Sequence, residues 1–193
     1  MSSSLARVAF AFVLALIPLA LPSAAETQPA TRPAGTIELF NGKDLTGWGY
    51  KSGEVFDGKV ESDDKRYSAT DGMIVVHPGK GIRQLWTTAK FPGDFELRVE
   101  FRAEVNADSG LFVRAPQLQV RDYLVAGPYK TLKQYRPQDW NEIVVVVKGG
   151  VAHCTCNGEV LEAALKVPDT GGIGLEADRG RMEYRNLRLT PAK

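Results

Sequence analysis

The stretch that decides the fold runs from Gly93 to Asp122 and reads GDFELRVEFRAEVNADSGLFVRAPQLQVRD. Strict alternation over residues 95–101 places apolar side chains on one face of a strand and charged ones on the other. Asp108-Ser109-Gly110 predicts a turn followed by two more strands. The last strand carries polar side chains on one face: Gln117, Gln119 and Arg121. We expect an antiparallel sheet whose non-core face, rich in acids, guanidinium groups and amides, is the floor of a site.

The N-terminal segment has the pattern of an export signal. Arg7 precedes an apolar run and the small residues of PSAAE, which predicts a signal peptide over residues 1–25 with cleavage after Ala25. The apolar run is short for a membrane span, so an uncleaved anchor is the weaker alternative. Residues 26–35 predict a flexible linker, and residues 36–191 a single domain. We expect that domain in the periplasm or outside the cell.

Charge excludes two classes of partner. Removal of the predicted signal peptide takes Arg7 and no acid from the 24 basic and 23 acidic residues, so the mature chain is formally neutral. Such a chain has no basic field for nucleic acid or for an anionic membrane surface. We therefore expect no nucleic acid partner and no membrane association after cleavage.

The two cysteines are predicted to be free thiols that fill the core. Cys154 and Cys156 share one face of a strand, where a bridge between them would strain the geometry. His153 directly precedes Cys154 and points to the opposite face, and the chain has no C-x-x-C pair. No metal site is predicted, and a dependence on divalent metal is left open.

Turn signals and short apolar runs predict an all-β sandwich. Asp71-Gly72 and Asn157-Gly158 are hairpin signals, and the three-residue spacing of Tyr184 and Leu187 predicts a bulge near Asn186. About a dozen short strands without a convincing helix favour two packed antiparallel sheets. Residues 143–147 predict a strand covered on both faces, and residues 159–166 allow one helical turn.

Common catalytic motifs are absent from the sequence. It holds no H-E-x-x-H, no G-x-S-x-G, no phosphate-binding loop and no dinucleotide fingerprint, so no cofactor is predicted. Ordinary glycoside hydrolysis needs two carboxylates at a fixed separation. Glu96 and Glu100 share a face, but the neighbouring Arg98 and Arg102 favour ion pairs over catalysis.

A series of short motifs spans nearly the whole mature chain. In order they are Leu39–Trp48 (LFNGKDLTGW), Asp71–Ile74, Leu85–Thr87, Gly93–Leu97, Ser109–Arg114, Trp140–Glu142, Asn157–Gly158 and Glu183–Leu187. Each is weak alone, but in this order they resemble the 3-keto-disaccharide hydrolase family, also described as 3-keto-glucoside lyase/hydratase. The resemblance implies a concanavalin A-like jelly-roll β-sandwich. It also implies an enzyme that cleaves a small-molecule carbohydrate, a 3-keto-glycoside, by elimination and hydration.

This chemistry needs a base and a cation. A ketone at C3 acidifies the C2 proton, which a carboxylate removes while a cation stabilises the enolate. The candidates for the base are Asp122, Asp178 and Glu176, and Arg114 is the candidate enolate stabiliser. In the structural alternatives, Arg114 pairs with Asp122, Asp122 bonds backbone amides, and Asp178 belongs to a turn.

Amides and aromatic rings are the candidates for substrate binding. Gln117 and Gln119 are expected to orient the sugar, and Trp86 and Tyr129 to supply flat faces. Trp48 and Trp140 are interpreted as structural.

The chain departs from the family pattern at two positions. Asp108 stands where the family commonly has Asn, and Gln117 stands where it commonly has Glu. The second departure removes a carboxylate that could transfer a proton. It favours the main alternative, a non-catalytic carbohydrate-binding module on the same fold. A scaffold that presents loops to a protein partner is a third possibility.

Overall fold

The computed structural model describes residues 33–125, 129 and 131–193. The predicted signal peptide and most of the predicted linker lie outside these residues. The described part forms strands and turns without a helix, which confirms the all-β prediction. It therefore contains no helix that is long and apolar enough to cross a membrane.

Thirteen strands occur in the described residues. They are β1 (Ile37–Glu38), β2 (Trp48–Tyr50), β3 (Tyr67–Thr70), β4 (Met73–Val76), β5 (Arg83–Thr87), β6 (Phe95–Ala103), β7 (Asp108–Arg114), β8 (Gln117–Arg121), β9 (Asn141–Lys148), β10 (Val151–Cys156), β11 (Glu159–Lys166), β12 (Gly172–Ala177) and β13 (Met182–Pro191).

Two antiparallel sheets make up the fold. The larger has eight strands in the order β11-β10-β9-β6-β13-β4-β3, with β1 paired to β13. The smaller has five in the order β2-β5-β12-β7-β8. Strands that are adjacent in a sheet are often distant in sequence, as in a jelly roll.

The core lies between the sheets and follows the predicted alternation. On β6, Phe95, Leu97, Val99 and Phe101 are buried, while the charged residues between them are only partly covered. Trp48 is fully buried, and its Nε1 donates to the Leu39 carbonyl at 2.7 Å. Its structural interpretation is therefore confirmed.

The predicted hairpins and bulge are present. Asp71 and Gly72 have φ of 50° and 75°, and Asn157 and Gly158 have φ of 47° and 86°. Both central residues of each turn are thus left-handed, as a type I′ turn requires. Asn186 has φ 52°, and the register of β13 against β6 shifts between Arg185 and Arg188. This bulge returns the following leucine to the core.

The turn predicted at Asp108–Gly110 is wrong. These residues begin β7, and the turn lies just before them, where the Ala107 amide donates to the Glu104 carbonyl at 3.0 Å. The Ser109 hydroxyl is buried and bonded to the Tyr184 hydroxyl at 2.7 Å, so tertiary contacts override its turn propensity. Because the chain crosses between sheets here, the single predicted site floor becomes two separate faces.

Two further expectations on the larger sheet are corrected. Residues 143–147 are not covered on both faces, since Val146 is 41% exposed and Val144 is only partly buried. Residues 159–166 form a strand and no helical turn, because they pair along β10.

The two thiols lie on the inner face of β10 and are not bridged. Burial raises the pKa of both Cys154 and Cys156 to about 12. His153 is exposed on the opposite face. No group of residues suited to hold a metal ion occurs in the described part of the chain.

Candidate active site on the smaller sheet

The outer face of the smaller sheet gathers four of the predicted site residues: Trp86, Gln117, Gln119 and Glu176. We call the outer face of β5, β12, β7 and β8 the amide face. Along β12, Leu175 and Ala177 are buried in the core, so Glu176 between them points outward. It lies opposite Gln84 of β5 in the sheet register.

Glu176 lies between two side-chain amides. Its carboxylate accepts hydrogen bonds from Gln117 Nε2 at 2.7 Å and from Gln84 Nε2 at 3.3 Å. Burial is the largest influence and raises the pKa of this carboxyl; Asp178 and Asp108 also raise it, and the two amides oppose the shift. A carboxyl whose pKa is raised by burial is a candidate for general acid–base chemistry.

Two glycines allow side chains to lie flat across this face. A Cβ atom on Gly110 would lie 2.1 Å from Nε2 of Gln117, and one on Gly174 would lie 2.9 Å from the Trp86 ring. Both distances are too short for a real Cβ contact. The glycines therefore let Gln117 reach Glu176 and let Trp86 rest on the sheet.

A second carboxylate on the same face was missed by the sequence reasoning. Asp108 accepts a hydrogen bond from Gln119 Nε2, and its Oδ2 lies 3.2 Å from Arg121 Nη2 and 3.6 Å from Arg179 Nη2. Asp108 thus faces two guanidinium groups, whereas Glu176 is bonded by neutral amides.

The sequence reasoning missed Gln84 as well as Asp108, and the alternation of side chains along each strand could have located both. Asp108 alternates with Gly110 and Phe112 along β7, and Gln84 alternates with Trp86 along β5. The predicted turn at Asp108 hid the first of these patterns.

Aromatic rings occupy the end of the amide face towards β2. Trp86 packs against Phe112 with ring centroids 5.1 Å apart, and the ammonium of Lys51 lies 3.7 Å from the centroid of the Trp86 ring. Trp86 is 6% exposed, and its Nε1 has no hydrogen-bond partner among the described residues. The indole N–H is therefore a buried donor that the described residues leave unsatisfied.

Arg114 binds backbone carbonyls. Its Nε donates to Phe91 O at 2.9 Å, its Nη1 to Pro168 O at 2.6 Å, and its Nη2 to Gly93 O. Its backbone has φ 67°, which turns the side chain away from the direction that strand alternation predicts. It makes no ion pair with Asp122, so that structural alternative is wrong. Three of its five N–H donors hold two loops to the end of β7.

Asp122 points away from the amide face. Its Oδ2 accepts from the Asn106 amide at 3.1 Å, and its Oδ1 accepts from the Tyr135 hydroxyl at 3.3 Å. This placement corresponds to the structural alternative, in which the carboxylate bonds a backbone amide. It separates Asp122 from Glu176.

Tyr129 and Asp178 occupy different surroundings. The Tyr129 hydroxyl donates to Glu162 Oε1 at 2.6 Å, and its buried ring packs edge-on against Tyr123 at 5.5 Å. It therefore presents no flat face to a ligand on the amide face. Asp178 directly follows β12, is partly buried, and lies close enough to Glu176 to influence its carboxyl.

Charges on the outer face of the larger sheet neutralise one another. Arg98 contacts Glu96 at 2.6 Å and Glu142 at 3.1 Å, and Arg185 contacts Glu100 at 2.7 Å. The expectation of ion pairs for both glutamates is confirmed, although the partner of Glu100 comes from β13.

Trp140 lies on this larger-sheet face and not in the core. It is partly buried between the guanidinium groups of Arg185 and Arg102, at 3.8 and 4.8 Å from its ring centroid. Its role on this surface is the stacking of these two cations.

The two antiparallel sheets and the order of their strands define a jelly-roll β-sandwich. Within that class, the chain belongs to the family of 3-keto-alpha-glucoside-1,2-lyase-like domains, whose family model matches residues 35–190. No curated protein matches the chain.

Solved structures share the fold at low sequence identity. A candidate glycosyl hydrolase from Parabacteroides distasonis has a TM-score of 0.65 and 18% identity, covering 82% of this chain and 94% of its own. A second one from the same organism has a TM-score of 0.59 and 17% identity, with coverages of 81% and 99%. The carbohydrate-binding module CBM66 of Bacillus subtilis has a TM-score of 0.50 and 10% identity, with coverages of 76% and 97%.

We predict that Arg114 contributes to stability through its carbonyl contacts. Arg114→Ala should lower the free energy of unfolding by about 3 kcal/mol, because it removes charged hydrogen bonds from a buried site. Arg114→Gly should lower the free energy of unfolding by about 1 kcal/mol less than Arg114→Ala does, because glycine accepts the positive φ without strain. Urea denaturation measures both values.

The matched control is Arg98→Ala on the larger sheet. The Arg98 side chain is 37% exposed and forms surface ion pairs, so the loss should be under about 1 kcal/mol. An Arg114→Ala protein as stable as the wild type would contradict the structural role.

We predict that Glu176 weakens the fold as pH rises. Its folded pKa is raised above the ordinary value of 4.5, so the folded chain holds this proton more tightly than the unfolded chain. Its contribution to stability is complete below pH 4.5 and is lost as pH rises through the folded pKa. The stability of Glu176→Gln relative to the wild type should therefore increase from pH 4 to pH 8 in urea denaturation.

Glu61→Gln, at an exposed residue, is the control for the loss of one carboxylate from the surface. A difference between Glu176→Gln and the wild type that is constant with pH would show that Glu176 ionises alike in the folded and unfolded chain.

Proposed function

We propose that this protein is an exported enzyme that cleaves 3-keto-glycosides on the amide face. Membership of the 3-keto-alpha-glucoside-1,2-lyase-like family supports the reaction class. The observation that carries the proposal is the buried Glu176 carboxyl, bonded by two amides and with its pKa raised by burial. It is a proton-transfer group on an outer face that also holds an aromatic ring.

Glu176 acts as the base in the proposed mechanism. Its carboxylate takes the C2 proton, the C2–H electron pair forms a C2=C3 double bond, and the π pair of the C3 carbonyl moves to its oxygen to give an enolate. The enolate oxygen then re-forms the C3=O bond, the C2=C3 pair forms a C1=C2 double bond, and the C1–O bond breaks with its electron pair on the leaving oxygen. The leaving oxygen takes the proton from Glu176, and water then adds across the double bond, with net hydrolysis.

The enolate needs a positive donor on the same face. Arg114 was the sequence-based candidate, but its guanidinium is engaged with carbonyls of two loops. We assign this role to Arg121, a cation on the amide face whose Nη2 lies 3.2 Å from Asp108. Gln119 orients the neighbouring Asp108 and, through it, Arg121.

Gln117 is compatible with this assignment. It stands where the family commonly has Glu, and it donates its amide to Glu176 at 2.7 Å. A glutamate here would place two carboxyl groups in contact, and one would have to hold a proton. In this chain the proton-transfer role falls on Glu176.

A carbohydrate-binding module is the second candidate function. The fold similarity to the module CBM66 favours it, as does the absence of a carboxylate at Gln117. Such a module would use Trp86 to hold a sugar and would release no product.

We predict that the purified domain releases the aglycone from 3-keto-glucosides. Glu176→Gln should lower kcat by a factor of about 100 or more, because a general base contributes that much to the rate. In the wild type, kcat/KM should rise with pH as Glu176 loses its proton. Chromatography of the released aglycone gives the rates, and circular dichroism checks the fold.

Glu96→Gln, on the opposite sheet, should keep full activity. Full activity in a folded Glu176→Gln protein would rule out Glu176 as the base. A wild type that binds glycans but cleaves no 3-keto substrate would favour the binding module.

We also predict that the exported protein begins near Glu26. The apolar run and the small residues before this position motivate the site of cleavage. Mass spectrometry of the periplasmic or secreted protein measures the N-terminus. Met1 retained in a membrane fraction would show an uncleaved anchor instead.

A further inference from the structure

A cavity of about 370 Å³ adjoins the amide face beside Trp86. It lies between the end of β2 with the loop that follows it (residues 49–55), the end of β5 and residues 170–172. This volume falls in the range of small-molecule pockets. Its charged lining residues are Lys51, Glu54, Lys90 and Arg114. We call it the lysine cavity.

Lys51 and Lys90 of the lysine cavity have no carboxylate partner. The third cation, Arg114, donates to backbone carbonyls; burial lowers its pKa, and the nearby Asp94 and Asp169 oppose this shift. Lys51 and Lys90 form no ion pair with any residue of the described chain. Other cations, such as those on the larger sheet, lie in contact with acids.

The single carboxylate in the lining does not balance these lysines. Glu54 is exposed, and it accepts a hydrogen bond from the Ser52 hydroxyl at 3.0 Å. The lysine cavity thus keeps an excess of positive charge in a chain with nearly equal acids and bases. An anionic group entering it would meet two ammonium groups.

Trp86 connects the cavity to the amide face. The ammonium of Lys51 lies 3.7 Å from the centroid of its ring, and the Trp86 Nε1 is buried without a partner. A ligand ring in the cavity can therefore pack beside Trp86 and contact Lys51. These two contacts fit a cyclic ligand with an acidic substituent.

We propose that the lysine cavity binds the leaving group of the substrate, and that Lys51 and Lys90 select a leaving group that carries a carboxylate. This inference rests on the proposed cleavage of 3-keto-glycosides at Glu176. It names the substrate class as 3-keto-glycosides of a sugar acid or of an aromatic acid. Both share a ring and a carboxylate.

The test compares two matched substrates, p-carboxyphenyl and p-carbamoylphenyl 3-keto-glucoside. They have nearly the same shape and differ in charge. Lys51→Met and Lys90→Met should each lower kcat/KM for the carboxylate substrate about tenfold and change the amide substrate less than twofold. Each variant is compared with the wild type on the same substrate, so the intrinsic reactivity of the leaving group cancels.

Two controls separate charge from shape. Lys51→Arg keeps the cation over the Trp86 ring and should retain the preference, while Lys59→Met removes a lysine already paired with Asp63 and should change neither substrate. The preference should also weaken with added salt, because ions screen the attraction. Equal losses for both substrates in the Lys51 and Lys90 variants would overturn the proposal.

A binding arm tests the cavity without turnover. Calorimetry with 4-hydroxybenzoate, 4-hydroxybenzamide, glucuronate and glucose compares the wild type with the Lys51→Met/Lys90→Met double variant. We expect an acid to bind more tightly than its neutral counterpart, and only in the wild type; which acid binds better separates the aromatic from the sugar source. If acids bind in this way but nothing is cleaved, the proposed function fails and the cavity assignment stands. If cleavage occurs but the double variant binds acids like the wild type, the proposed function stands and the assignment of the cavity fails.

Discussion

The alternation along β12 is the constraint on which both the core and the amide face depend. From the core side, the Ser109 hydroxyl donates to the Glu176 carbonyl at 2.5 Å, and the Tyr67 hydroxyl donates to the Leu175 carbonyl at 2.9 Å. These two buried hydroxyls bond the backbone of β12 from the core side and fix its register. A slip of one residue would place Glu176 in the core and Leu175 in the site. The position of the carboxyl is therefore fixed by contacts that no ligand touches.

The outer faces of the two sheets differ in how far their charged groups are paired. On the larger sheet, Arg98 lies between Glu96 and Glu142, so charge is neutralised within the surface. On the smaller sheet Asp108 is also paired with Arg121, but Glu176 is bonded by neutral amides, and the cations Lys51 and Lys90 lie at the rim without ion-pair partners. Charged groups that already pair with one another form few new contacts with a ligand. Unpaired groups beside an aromatic ring can form such contacts. This contrast favours the smaller sheet as the reactive one.

Local signals in the sequence predicted most of the fold, and long-range contacts explain what they missed. Period-two alternation located β6, and Asp71-Gly72 located a hairpin, because each depends on neighbours in sequence. The turn predicted at Asp108 failed because Ser109 is held in the core by Tyr184, a residue 75 positions away. Arg114 lies in a strand by pattern, but its positive φ redirects the side chain. Of the predicted site, the strand residues Trp86, Gln117, Gln119 and Glu176 share a face, whereas Arg114 and loop residues such as Tyr129 do not.

Gln117 shows how a departure from the family pattern can be compensated within a site. From sequence alone, the loss of a carboxyl at this position favours a protein that only binds sugars. In the fold, the Gln117 amide crosses above Gly110 and donates to Glu176, which burial already holds towards its protonated form. The amide opposes that shift without adding charge, whereas a second carboxylate would strengthen it. The amide therefore lowers the cost of ionising Glu176, which is what its proposed role as a base requires.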